Sequence, residues 1–253
     1  MIDSHCHLTY PQLASQLQAV LQRAAAAGVS RMITVGTSID DARRAIALCR
    51  AHENIRCCVG IHPHHADEAS DADIAALCDL LQEACVLAMG EMGLDYHYEF
   101  SSRARQKDVF AAQLQIARNA RRPIVIHCRE AFDDCFAILN GSEIPAVFHC
   151  FTGSGDEARR VLDAGYLIGL TGVVTFKKSD ELRKLARRIP IDRLLLETDA
   201  PYLSPEPMRK QKVNEPALII HTAAAIAQIK GISFQDVEQT TAQNTHRFFN
   251  WPQ

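Results

Sequence analysis

Cys85-Val86-Leu87-Ala88-Met89-Gly90-Glu91-Met92-Gly93-Leu94-Asp95 is the stretch on which the reading of this chain turns. It is an apolar run too short for a helix of its own, halted by a glycine, which then delivers one carboxylate, Glu91, and another glycine. Continuous rather than alternating hydrophobicity marks a strand covered on both faces, the habit of a parallel sheet under helices. A charge at the end of such a strand is costly unless a cation sits beside it. The expected cation is a pair of metal ions, with the remaining ligands drawn from other strand ends. The simpler alternative is a solvated glutamate opening a loop.

Residues 2–5, 31–36, 56–61, 123–127, 145–149, 166–171 and 193–197 repeat the pattern, making eight runs with 85–90. Helix-like stretches lie between them, over 11–27, 39–52, 71–83, 102–121, 130–139, 155–164 and 179–188. Two more, 215–229 and 233–249, follow the eighth run. The punctuation agrees: Gly28 stops the first helix, and Ser38 and Asp40 are good N-cap types for the second. Eight β-then-α units predict an α/β fold, a (β/α)8 TIM barrel. A doubly wound open sheet is the alternative, disfavoured because no glycine-rich dinucleotide fingerprint is present. With no internal repeat, low-complexity segment or linker, a single domain over 1–253 is expected.

Apolar residues make up 47% of the chain, ample for a core, and the net charge is -3. That balance excludes nucleic-acid binding through bulk charge but leaves room for a local basic patch. No apolar window reaches the length of a membrane span. The opening Met1-Ile2-Asp3-Ser4-His5 lacks a basic-then-apolar leader, so no secretory signal is expected. The cysteines number nine, an odd count scattered through apolar runs. Reduced thiols and a cytoplasmic location follow more naturally than a disulfide framework. No exposed apolar helix face stands out, and a monomer is expected.

In a barrel, functional groups gather where strands end. The first run ends in Asp3-Ser4-His5-Cys6-His7, the fourth in Glu91, the fifth in His127-Cys128-Arg129, the sixth in His149-Cys150-Phe151 and the eighth in Glu197-Thr198-Asp199. Alternate strand residues share a face, so His5 and His7 project together. Imidazole nitrogen and carboxylate oxygen suit Zn²⁺ and related divalent ions. Six such ligands exceed the needs of one tetrahedral ion. His5, His7 and Asp199 are assigned to one ion, His127 and His149 to another, and Glu91 to both as a bridge. Such ions acidify water and hold the attacked oxygen and the leaving group. Asp199 is the expected general base. Asp3 and Glu197 share parity with His5 and Asp199, one pleat deeper, where they would orient ligands or form an internal salt bridge. Cys6, Cys128 and Cys150 each follow a ligand histidine, so strand parity points them away from the site, as packing residues.

Positive charge is expected around the same rim. His62, His64 and His65 follow the third run, Arg129 lies two residues past His127, Lys177-Lys178 follow the seventh run, and Arg209-Lys210-Gln211-Lys212 lie beyond Asp199. Arginine and lysine grouped around a metal site suit a phosphate-bearing substrate.

Taken in order, these blocks resemble the TatD family of metal-dependent deoxyribonucleases, within the amidohydrolase-like barrels. The resemblance runs from Asp3 to the Asn244 region. It includes Gly60-Ile61-His62-Pro63-His64, His149-Cys150-Phe151-Thr152-Gly153, Glu197-Thr198-Asp199-Ala200-Pro201-Tyr202 and Asn214-Glu215-Pro216 besides the strand ends quoted above. It implies the same six ligands, His5, His7, Glu91, His127, His149 and Asp199, holding two divalent metal ions (Mg²⁺, Mn²⁺ or Zn²⁺). It places His62 and Arg129 near the substrate. The implied partner is DNA, some members of the family being 3′-to-5′ exonucleases on single strands, with RNA as a further substrate. Two alternatives stand beside this reading. One is a metal-dependent hydrolase of a small ester, lactone or amide, although relatives of that kind often bridge their ions with a carboxylated lysine where this chain has Glu91. The other is a non-catalytic metal-binding scaffold.

Overall fold

The quoted stretch forms β4 (Val86–Asp95), ten residues buried throughout. The strand therefore continues past Gly90, and Glu91 lies inside it rather than at its end. The other strands are β1 (Ile2–Cys6), β2 (Arg31–Gly36), β3 (Ile55–Val59), β5 (Ile124–Arg129), β6 (Ala146–Phe148), β7 (Leu167–Leu170) and β8 (Leu194–Leu196). This computed structural model describes residues 1–251; Pro252 and Gln253, the end of the expected 1–253 domain, lie outside the described residues.

All eight strands join one sheet in the order β1 to β8, and the ladders β1–β2, β3–β4, β4–β5, β5–β6 and β7–β8 are parallel. The intervening helices are α1 (Pro11–Ala14), α2 (Leu17–Ala26), α3 (Ile39–Ala51), α4 (Asp71–Leu80), α5 (Arg103–Ala120), α6 (Phe132–Leu139), α7 (Gly155–Asp163) and α8 (Asp180–Arg188); α9 (Ile219–Lys230) and α10 (Phe234–Phe249) follow β8. Every step between strands carries a helix, which is the expected (β/α)8 barrel. One expected helix, 11–27, is broken: Gln16 leaves the helical region at φ -134° and separates α1 from α2.

Two compact units carry these elements. The first comprises residues 1–34 and 150–253. Within it β1 is tied to the chain around β8: Ser4 Oγ donates to the Leu196 carbonyl (3.0 Å), and the Asp199 and His7 amides donate to the His5 and Ala200 carbonyls (2.9 and 2.7 Å). Asn244 of α10 donates to the Ile191 and Leu194 carbonyls, both at 2.8 Å, fixing the entry to β8. Leu8, Leu13, Met32 and Ile33 are fully buried in this unit.

The second unit comprises residues 35–149. Two buried glutamines of α5 grip the ends of its strands. Gln113 bonds the amide and carbonyl of Ile61 (2.7 and 3.0 Å), and Gln106 those of Asp95 (2.8 and 3.1 Å). A buried amide that satisfies both groups of one residue clamps that strand exit to its helix. Gly93 makes the closest approach: at φ +140°, any Cβ there would lie 2.0 Å from the His127 carbonyl oxygen. Gly93→Ala is therefore expected to lower unfolding stability by about 3 kcal/mol. Urea midpoints should show the loss, with Gly155→Ala, where nothing lies within 4 Å, as the neutral control. An unchanged midpoint for Gly93→Ala would mean that β4 and β5 separate freely.

Candidate metal centre

In the first unit, His5 and His7 leave β1 on the same side, as period-two alternation requires. Both are buried. The Asp199 carboxylate meets them: its Oδ1 lies 3.8 Å from His5 Nε2 and 3.3 Å from His7 Nε2. The three side chains offer ligand atoms within 4.8 Å of one another. Asp199 holds a left-handed backbone, φ 55°, a conformation that aspartate tolerates better than most residues.

Asp3 supports this group from below. Its Oδ2 accepts from the Thr198 hydroxyl (2.6 Å), and its Oδ1 from the amides of Thr198 (3.0 Å) and His5 (3.3 Å). It therefore holds the backbone at His5 and just before Asp199. Burial raises the Asp3 carboxyl to about 7, against the lowering effect of the Thr198 bonds, and the Asp199 charge adds to the rise. Glu197 accepts from the Cys150 amide. Its carboxylate fills the space that a side chain at 169 would need: a Cβ on Gly169 would lie 2.6 Å from Glu197 Oε2. The Cys150 amide thus meets the carboxylate from a left-handed residue, φ 45°, a backbone role that strand parity did not suggest.

In the second unit, three imidazoles converge on one oxygen of Glu91. His149 Nε2 lies 2.6 Å from Glu91 Oε1, His127 Nδ1 2.9 Å and His62 Nε2 3.3 Å. Burial alone would raise the Glu91 carboxyl, but the charges and hydrogen bonds of these histidines hold it well below the usual carboxylate range. A buried carboxylate kept ionised is a ready cation ligand. His62, expected near the substrate, lies within this donor cluster. Burial pushes its imidazole down to about 3, and its Nδ1 accepts from the His64 amide at 3.1 Å.

Asp95 is the functional side chain that the strand-end survey passes over. Its Oδ2 lies 2.9 Å from His127 Nε2 and 3.0 Å from His64 Nε2. Burial opposes a charge on His127, but bonds to Asp95 and Glu91 outweigh it and raise the imidazole to about 9. A carboxylate behind one ring nitrogen, with the other nitrogen aimed at the ligand cluster, is the usual support of a metal-bound histidine. Asp95 shares a strand face with Glu91 and Gly93, but the histidines that give it a role lie 31 and 32 positions away in the chain.

Exposed aromatics flank both donor sets. Tyr98 and Phe100 are 51% and 68% exposed, their rings parallel with centroids 5.5 Å apart, and Phe100 meets the His64 ring edge-on at 4.8 Å. Arg129, at the end of β5, lies over Tyr98 at 4.8 Å. In the first unit, Tyr10 stacks on His7 (4.7 Å) and meets Tyr202 edge-on (6.1 Å), while Arg209 lies over Phe176 at 3.9 Å. Each unit therefore carries a buried histidine–carboxylate set suited in donor chemistry to a divalent ion.

The fold and these donor sets define the class, a metal-dependent hydrolase on a (β/α)8 barrel. The chain belongs to the TatD-related DNase family, whose profile matches residues 2–250. It is 36% identical over 252 residues to YabD of Bacillus subtilis, named an uncharacterized metal-dependent hydrolase, with 98% of each chain covered. It is 40% identical over 256 residues to the 3′-5′ ssDNA/RNA exonuclease TatD of Cronobacter sakazakii, covering 98% of this chain and 97% of that one. Among solved structures, the TatD homolog YjjV of Escherichia coli K12 superposes with a TM-score of 0.94 at 30% identity, over 100% of this chain and 98% of the other.

Proposed function

We propose that this chain is a two-ion phosphodiesterase that shortens single-stranded DNA, and RNA as a second substrate, from the 3′ end. It would act as a single-domain monomer in a reducing, cytoplasmic compartment. The observation that carries the reading is the convergence of His62, His127 and His149 on Glu91 Oε1, matched by the His5–His7–Asp199 set. His5, His7 and Asp199 would hold one ion, and Glu91, His127 and His149 the other. Glu91 as the ligand shared by both ions rests on the strand-end reading of the sequence. Bound divalent ions supply Lewis acidity toward a phosphoryl oxygen and toward water.

The chain's own residues do the rest. Asp199 takes the proton of the attacking water. Asp95 holds His127 by Nε2, leaving Nδ1 for the ion. Asp3 fixes the Thr198–Asp199 backbone. Arg129 contacts phosphate. The exposed rings of Tyr98, Phe100 and Tyr202 offer stacking platforms for splayed bases, each base–ring stack contributing about 1–3 kcal/mol. Sequence-tolerant stacking suits a single-stranded nucleic acid better than a small ester. No single helix among the described residues is long and apolar enough to cross a membrane.

The test is direct. The metal-loaded protein should shorten 3′-end-accessible single-stranded DNA, lose that activity on chelation and regain it with Mg²⁺, Mn²⁺ or Zn²⁺. Turnover of esters or lactones with DNA left intact would replace this reading with the small-substrate hydrolase.

A further inference from the structure

Three cysteines of the second unit meet at one point, and the hydrolytic site does not use them. Cys49 lies near the end of α3, Cys57 in β3, and Cys85 just before β4. All three thiols are free, Cys49 and Cys57 buried and Cys85 partly exposed. Their sulfur atoms lie within 4.8 Å of one another. Among the described residues this is the one metal-compatible group built from thiols alone. Parallel pairing sets Cys57 beside Val86, with the Cys57 amide donating to the Cys85 carbonyl at 3.0 Å. The trio therefore sits at the start of β4. Glu91 lies six residues further along, a separation of about 20 Å in extended chain.

We propose that Cys49, Cys57 and Cys85 form a trithiolate site for one thiophilic cation of the Zn²⁺ type. Three sulfurs bound to one such ion at ~2.3 Å stand about 3.8–4.0 Å apart, so the present spacing needs only rotamer-scale closure. Soft thiolates select such ions over the hard divalent ions that carboxylate sites admit. This separates the trio in chemistry as well as position from the histidine–carboxylate sets.

The local hydrogen bonding favours the ligating form at Cys85 and the protonated form at Cys57. The Cys57 thiol bonds to the Cys85 sulfur and draws the Cys85 thiol down to about 6 against the opposing effect of burial, while Cys57 itself is pushed up by bonds to Cys49 and Cys85. Arg50, paired with Glu83 at 2.9 Å, lies close enough to Cys85 to feel its charge. Binding releases to solvent the protons still held by the thiols and forms three S–metal bonds, with no change of oxidation state. Water or the Cys85 carbonyl, 3.7 Å from Cys57 Sγ, completes the coordination. Because the sulfurs come from α3, β3 and the residue before β4, the ion would pin α3 to β3 and to the start of β4.

Cd²⁺ is the probe, added to the reduced full-length chain with Mg²⁺ in excess. Thiolate ligation gives a near-ultraviolet charge-transfer absorption that imidazole and carboxylate ligands do not. The absorption should saturate at one equivalent, and bound Cd²⁺ should protect Cys85 from alkylation, read by mass spectrometry. Cys85→Ser should weaken binding at least ~10-fold, whereas Cys78→Ser, at an exposed position outside the trio, should leave it unchanged. No thiolate absorption at one equivalent, or equal alkylation of Cys85 with and without Cd²⁺, overturns the proposal. So does a band that Cys85→Ser leaves intact.

Discussion

Glu91→Ala is expected to lower kcat/KM on single-stranded DNA by at least ~10³-fold, about 4 kcal/mol of transition-state stabilisation. The loss should be chemical rather than structural. Three imidazoles share Glu91 Oε1, so its removal deletes the common counter-charge of the cluster. Stranding a buried charge costs about 3–5 kcal/mol, and two of the three imidazoles are spared that cost. His62 is held neutral by burial, and His127 keeps Asp95 at 2.9 Å. The far-ultraviolet circular dichroism spectrum should therefore match wild type, while bound divalent metal falls. Glu91→Gln separates charge from volume: it preserves shape and hydrogen bonding but should lose metal and activity nearly as completely. Wild-type activity in either variant would remove Glu91 from the ligand set.

Asp199→Asn should lower kcat by about 10²–10⁴-fold, the range that a positioned general base contributes. The amide keeps the side chain's volume beside His7 Nε2, 3.3 Å away in the wild type, yet it neither takes a proton nor offers an anionic ligand. The pH–rate profile distinguishes a base from a ligand alone. If Asp199 carries the proton, the acidic limb of the profile flattens in the variant even at saturating metal. If it only holds an ion, excess metal restores the wild-type curve and the assignment as base fails.

Much of the fold was legible because both of its signals are local. Continuous apolar runs bounded by glycine and charge mark strands buried on both faces, and eight of them alternate with helical stretches. The boundaries were less legible. β4 extends through Gly90 to Asp95 because Gly93 carries no side chain to meet the His127 carbonyl, a tertiary condition invisible in a single segment. The candidate ligands were readable from strand ends and parity. Asp95 was not, because its partners His64 and His127 lie 31 and 32 positions away, and nothing in a lone aspartate announces them. His62, which the family resemblance places near the substrate, is also buried against Glu91 in the donor cluster, a contact that its own segment does not announce. The cysteine trio escaped notice for a related reason. Its members are separated by 8 and 28 positions in the chain and meet only through the β3–β4 register and the return of α3.

The exposed rings of Tyr98, Phe100 and Tyr202 stand outside the regular strands that carry or border the histidines and carboxylates. That separation gives the scaffold evolvability. On the proposed function, substitutions at these three positions are expected to change which strands are bound while leaving the histidine–carboxylate sets intact. An engineer can begin from the same three positions.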